Sequence, residues 1–69
     1  MANKLFGRAT VIEVAVELMK AAEEPKATID QFIDMVQRTK GIDDSIEVAA
    51  CFVNVEDLED GIRRHRRRP

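Results

Sequence analysis

Side chains able to act as a nucleophile or to carry a proton near neutral pH are scarce in this chain: one histidine, His65, one cysteine, Cys51, and one serine, Ser45. A general acid or base needs a titratable group held in a cleft with a perturbed pKa, and a nucleophile needs a base beside it. His65 stands inside the run Arg63, Arg64, Arg66, Arg67 and Arg68 and is expected in solvent. Ser45 follows Asp43 and Asp44 where a helical pattern begins, so it reads as one of three alternative N-caps. Cys51 falls on an apolar stripe of helical spacing, where a free cysteine behaves as a small buried hydrophobe.

Metal chemistry is equally short of residues. There is no Cys-x-x-Cys pair, no second histidine and no Asp-rich calcium loop with a glycine at its sixth position. Glu13 and Glu17, and likewise Asp57, Glu59 and Asp60, read as solvated faces, and no Gly-rich phosphate loop is present. The expectation is a protein without catalytic residues, cofactor or metal, and so not an enzyme.

The formal net charge of −2 conceals a lopsided distribution. Residues 63–68 hold five arginines and no acid, so residues 1–62 hold six Lys or Arg against all thirteen Asp and Glu. The body is therefore at −7 and the tail at +5. A lone cysteine cannot close an internal disulfide, and residues 1–10 lack the pattern of a secretory signal, which predicts a reducing, cytoplasmic setting. The longest mostly apolar stretch, residues 9–19, is interrupted by Glu13 and Glu17 and falls well short of the roughly 20 apolar residues of a membrane span. No membrane partner is expected.

The elements that must position these groups are helices. Residues 1–9 show no period and read as a short arm. Thr10 and Glu13 have capping-box spacing and open a first helix over residues 10–24, which Pro25 ends. Thr28 and Gln31 repeat that spacing, Ile29, Phe32, Ile33 and Val36 follow at helical intervals, and Gly41 is placed to close this second helix in the left-handed conformation. A third apolar stripe, Val48, Cys51, Phe52, Val55, Leu58 and Ile62, predicts one continuous helix carried onwards by the pairs Glu59–Arg63 and Asp60–Arg64. Two alternatives compete with it. A strand over residues 46–55 draws on the β-branched Ile46, Val48, Val53 and Val55, and a separate fourth helix would be capped by Asn54. The predicted fold is all-α: a helical domain over residues 10–62, of three helices or alternatively four, with an arm at 1–9 and an Arg-rich tail at 63–69.

So short a chain buries only about 60% of its unfolded surface, yet its first and third helices are apolar around more than half of their circumference. Covering that surplus by self-association predicts a homodimer. Val11, Val14, Leu18, Val48, Phe52, Val55 and Leu58 are the candidate apolar interface, for a second copy or for a different protein. The favoured function is accordingly a small regulatory protein, an inhibitor, adaptor or accessory factor, that binds another protein of unspecified identity. The alternative is a nucleic-acid-binding transcriptional regulator that contacts phosphates through Arg63, Arg64, Arg66, Arg67 and Arg68. The helix–Gly41–helix spacing resembles a helix-turn-helix, but its recognition helix would lead with Asp43, Asp44 and Glu47, which phosphates repel.

Overall fold

The computed structural model describes residues 7–67, so residues 1–6 of the expected arm and Arg68 and Pro69 of the tail lie outside the described residues. Four helices follow one another: α1 Arg8–Ala21, α2 Lys26–Gln37, α3 Ile42–Ala50 and α4 Val55–Arg67. No strand occurs among the described residues. The strand alternative over residues 46–55 fails because the periodicity there is that of a helix, and α3 takes its first half, residues 46–50. The single long third helix is also corrected. It breaks at Cys51–Asn54, where the Asn54 side-chain oxygen accepts hydrogen bonds from the backbone N–H of Glu56 at 2.8 Å and of Asp57 at 3.3 Å. Those are donors that the first turn of a helix leaves free, so Asn54 starts α4 as its N-cap.

The other helix starts also differ from the expected ones, for one reason. Gly7 has extended backbone angles and its carbonyl accepts from Thr10 and Val11, so α1 begins two residues before Thr10 and without a side-chain cap. Pro25 does the same for α2, its carbonyl accepting from Thr28 and Ile29. Gly41 is extended (φ −141°, ψ 174°) and serves as the N-cap of α3, not as a left-handed terminator of α2. The left-handed residue among those described is Glu23, at φ 61°. It completes the end of α1: Glu23 N–H reaches the Lys20 carbonyl at 2.9 Å and Glu24 N–H the Met19 carbonyl at 3.0 Å. That pair of bonds is a Schellman motif, with glutamate at the position glycine normally fills.

The core collects Val11, Val14, Ala15 and Met19 of α1, Ile29, Phe32 and Val36 of α2, Ala49 of α3, and Leu58 and Ile62 of α4. α1 and α3 each pack against all three other helices, whereas α2 and α4 do not pack against each other. α4 runs antiparallel to α1, because His65 near its end meets Glu13, Gly61 lies on Val14, and Asp57 near its start shares a groove with Leu18 and Ala22. The two axes come so close at Gly61 that a methyl group there would stand 2.5 Å from Val14 Cγ1.

This arrangement corrects the apolar surplus. Val11, Val14 and Leu58, offered above as partner-facing, are inside the chain's own core at 0%, 4% and 0% exposure, because α1 is enclosed on three sides. Among the described residues the large apolar side chains left exposed are Met35 and Val55.

Two substitutions test these features. Gly61→Ala should lower the thermal midpoint, because overpacking costs about 1–3 kcal/mol and outweighs the roughly 1 kcal/mol that alanine gains as a helix former. In a Val14→Ala background the same change should raise the midpoint, since the obstructing methyl is gone. Glu23→Gly should raise it in the wild-type background by about 2–8 °C, because a non-glycine residue in the left-handed region costs about 1–2 kcal/mol, partly offset by the entropy of glycine. Both are read by calorimetry.

Candidate functional site

Two places on the surface have the chemistry of a binding site, and they lie at opposite ends of the α1–α4 pair. The first is a shallow groove of about 210 Å³ between the end of α1 and the α3–α4 connection, lined by Leu18, Met19, Ala22, Glu24, Phe52, Val53, Asn54 and Asp57. Its floor is apolar. Phe52 is held by an edge-to-face contact with Phe32, ring centroids 5.3 Å apart at 61°, which ties the connection to the core through α2. Val53 N–H and Phe52 N–H both reach the Ala49 carbonyl at 2.9 Å, so the connection is a tight turn with its own backbone bonds. Its polar lining is Asn54, engaged as the cap of α4, and the exposed carboxylates Glu24 and Asp57.

Of the predicted apolar interface, Leu18 and Phe52 line this groove, and both are half-buried. Val55 follows Asn54 in the chain and is 41% exposed, while Val48 is half-buried against the core. Met19, Ala22, Glu24, Val53, Asn54 and Asp57 were missed as groove residues. The signal that could have found them is the Asn54–Asp57 cap spacing, which breaks the third stripe and turns Phe52 and Val53 back onto α1.

The second place is the end of α4. The helix carries acids first, Glu56, Asp57, Glu59 and Asp60, and arginines last, Arg63, Arg64, Arg66 and Arg67. Both halves complement the helix dipole, which favours anions at the N-terminus and cations at the C-terminus. Asp60 and Arg64 pair across one turn, and the hydrogen bond and charge of Arg64 hold the Asp60 carboxyl below the usual carboxylate range. Both partners are exposed, so the pair is screened by salt and contributes little. It is present above the ordinary aspartate pKa near 4 and is lost as the pH falls through the lowered one. The expected Glu59–Arg63 pair is not formed: Arg63 is exposed, with no acid at ion-pair distance among the described residues.

The three residues with the greatest chemical capacity all sit elsewhere than expected. His65 is not simply solvated: its side chain is 34% exposed and its Nε2 lies 2.9 Å from Glu13 Oε1, joining α4 to α1. An ionised carboxylate only accepts, so Nε2 carries the proton in this contact. Cys51 is exposed, because it keeps helical backbone angles at the end of α3 and so stands on the side of exposed Glu47, away from the buried Ser45 and Ala49. Ser45 is fully buried inside α3 and is not its cap. Its Oγ lies 3.0 Å from the Gly41 carbonyl and 2.8 Å from Thr39 Oγ1, which in turn lies 2.6 Å from the Val36 carbonyl. Two hydroxyl protons serve these three contacts, and together they pin the α2–α3 connection. Arg8 Nη2 reaches the same Val36 carbonyl at 3.0 Å and ties the start of α1 to the end of α2.

No group of three or more His, Cys, Asp or Glu among the described residues is placed to hold a metal ion, and none of their helices is long and apolar enough to cross a membrane. Comparison with protein-family models, with curated proteins and with solved structures finds no match for this chain.

Asn54 supports the groove through α4, so Asn54→Ala should cost about 1 kcal/mol, the usual value of a lost N-cap. Denaturant titration measures that loss. Faster amide exchange at Glu56 and Asp57, relative to the core amides of α1, locates it.

Proposed function

We propose that this chain is a small non-enzymatic regulatory protein that acts by binding another protein, and that the groove between the end of α1 and the α3–α4 connection receives an apolar side chain of that partner. The observation that carries this reading is the groove's apolar lining, half-buried Leu18, Phe52 and Val53 and exposed Ala22 beside the buried Met19. A floor of this kind on a domain so small is a place where a partner gains by removing apolar surface from water, at about 25 cal/mol per Å². Glu24 and Asp57, together with a body at −7, favour a partner segment that flanks its apolar residue with lysine or arginine. A second copy of this chain is an occupant of the same kind, and it retains the homodimer expected from the sequence.

Ala22→Arg is the variant for the test, since Ala22 is exposed, caps the C-terminal end of α1 and lines the groove. The arginine fills the groove and suits the dipole at that helix end. Affinity capture from the native host followed by mass spectrometry should recover a defined protein with wild-type bait and lose it with Ala22→Arg, at unchanged circular dichroism and thermal midpoint. Sedimentation of both proteins at tens of micromolar decides whether that occupant is a second copy. Recovery of the same partner by both baits removes the groove from the interaction.

A further inference from the structure

We infer that the arginine-bearing end of α4 grips the phosphate backbone of a nucleic acid, at a surface separate from the groove. This goes beyond the protein-binding reading and does not depend on it. The last five residues of α4, a rise of about 7.5 Å, include Arg63, Arg64, Arg66 and Arg67. A duplex carries one charge per about 1.7 Å of axis, so this is a cation density matched to a linear polyanion, which binds by releasing condensed counterions. No acid follows Asp60 in the sequence, and Asp60 engages Arg64, while exposed Arg63 acts on Asp60 as a nearby charge and forms no ion pair among the described residues.

The acidic body does not cancel this end. Within α4, Glu56 and Asp57 precede Arg63 by about 9–11 Å of helix rise, and Glu23 and Glu24 lie past the end of α1, about 12 Å or more along it from the Glu13 that His65 contacts. That is more than one Debye length at physiological salt, where the screening distance is about 8 Å, and of the nearer acids Asp60 is engaged by Arg64 and Glu13 by His65. α2, with Asp30 and Asp34, is not in contact with α4. Residues 63–69 contain no aliphatic or aromatic side chain that could seat in a lipid headgroup layer, which disfavours an anionic membrane as the partner. Guanidinium groups fit phosphate oxygens two at a time, and the contact carries no base sequence information.

The test is fluorescence anisotropy with a labelled 30-nucleotide random-sequence DNA, single-stranded and duplex, and the matching RNA, between 50 and 200 mM NaCl. The full chain should bind with a slope of log K against log salt of about −3 to −4, the value for some four phosphates neutralised. R63Q/R66Q/R67Q keeps Arg64 for Asp60 and His65 for Glu13. With helicity unchanged by circular dichroism, it should lose more than tenfold in affinity and flatten the slope to about −1 to −2. R63K/R66K/R67K keeps the charge and should stay within a few fold of wild type, and Ala22→Arg should bind as wild type does. Absence of binding at 50 mM salt overturns the inference, as does a glutamine variant that binds normally. Equal affinity for polyglutamate of the same charge, or for vesicles containing phosphatidylserine, overturns it in favour of an acidic protein or a membrane.

Discussion

The close approach of α4 to α1 is the constraint on which the rest depends. α4 is a poor helix on its own account: of thirteen residues, Leu58 and Ile62 are its fully apolar buried contribution, Gly61 disfavours helix, and most of the others are charged. Isolated helices of that length are marginal in water, so α4 is held by tertiary contact. Gly61 permits that contact by letting the backbone of α4 settle against Val14, which brings Leu58 and Ile62 into the core and His65 to Glu13. The groove is the seam this packing leaves at one end of the pair. The arginine cluster is what the same helix carries at the other. Neither surface would have its shape if α4 stood a methyl group further out.

Much of the architecture was legible in the sequence because helical periodicity survives its context. The stripes of Val11, Val14 and Met19, of Ile29, Phe32 and Val36, and of Leu58 and Ile62 are the core, and all are spaced as one face of a helix. The helix ends were less legible, and the reason is chemical. Thr10 and Thr28 are good caps by residue type, but the carbonyls of Gly7 and Pro25 close the first turn just before them without any side chain. Glycine at position 41 suggests a left-handed residue, yet Gly41 is extended, and Glu23 takes the left-handed conformation because Pro25, two residues later, forbids α1 from continuing. Residue type states what a position tolerates. Which residue takes the turn is settled by where the chain must go next.

The candidate sites were legible only in part, for a related reason. An apolar arc wider than half a helix looks like a surface in search of a partner when each helix is judged alone. Once α1 is enclosed by three neighbours, Val11 and Val14 are spent internally and so is Leu58, while Leu18 and Phe52 remain at a groove. Periodicity cannot distinguish these outcomes, since it reports which side of a helix is apolar and not how many neighbours share it. Cys51 was misplaced for the same reason: α3 turns Ser45 and Ala49 to the core, which leaves Cys51 on the side of exposed Glu47. His65 was hidden by its neighbours: among five arginines it looks solvated, and only the antiparallel register of α4 on α1 brings it to Glu13, 52 residues away.

Judged by composition, an acidic body and a basic tail are rival statements about what the protein binds, because one net charge must describe the whole chain. The fold removes the rivalry by sorting the charge along one helix. α4 carries four acids in its first six residues and arginines in its last five, the two sets centred about 10 Å apart along the axis, and that order is also the one its own dipole favours. Screening in physiological salt, over about 8 Å, then weakens the coupling between the two ends, although the charge of Asp57 still acts on Arg64. A basic partner at one end and an anionic one at the other are therefore compatible within a single copy, and the charge of the body argues only against an anion laid along its side.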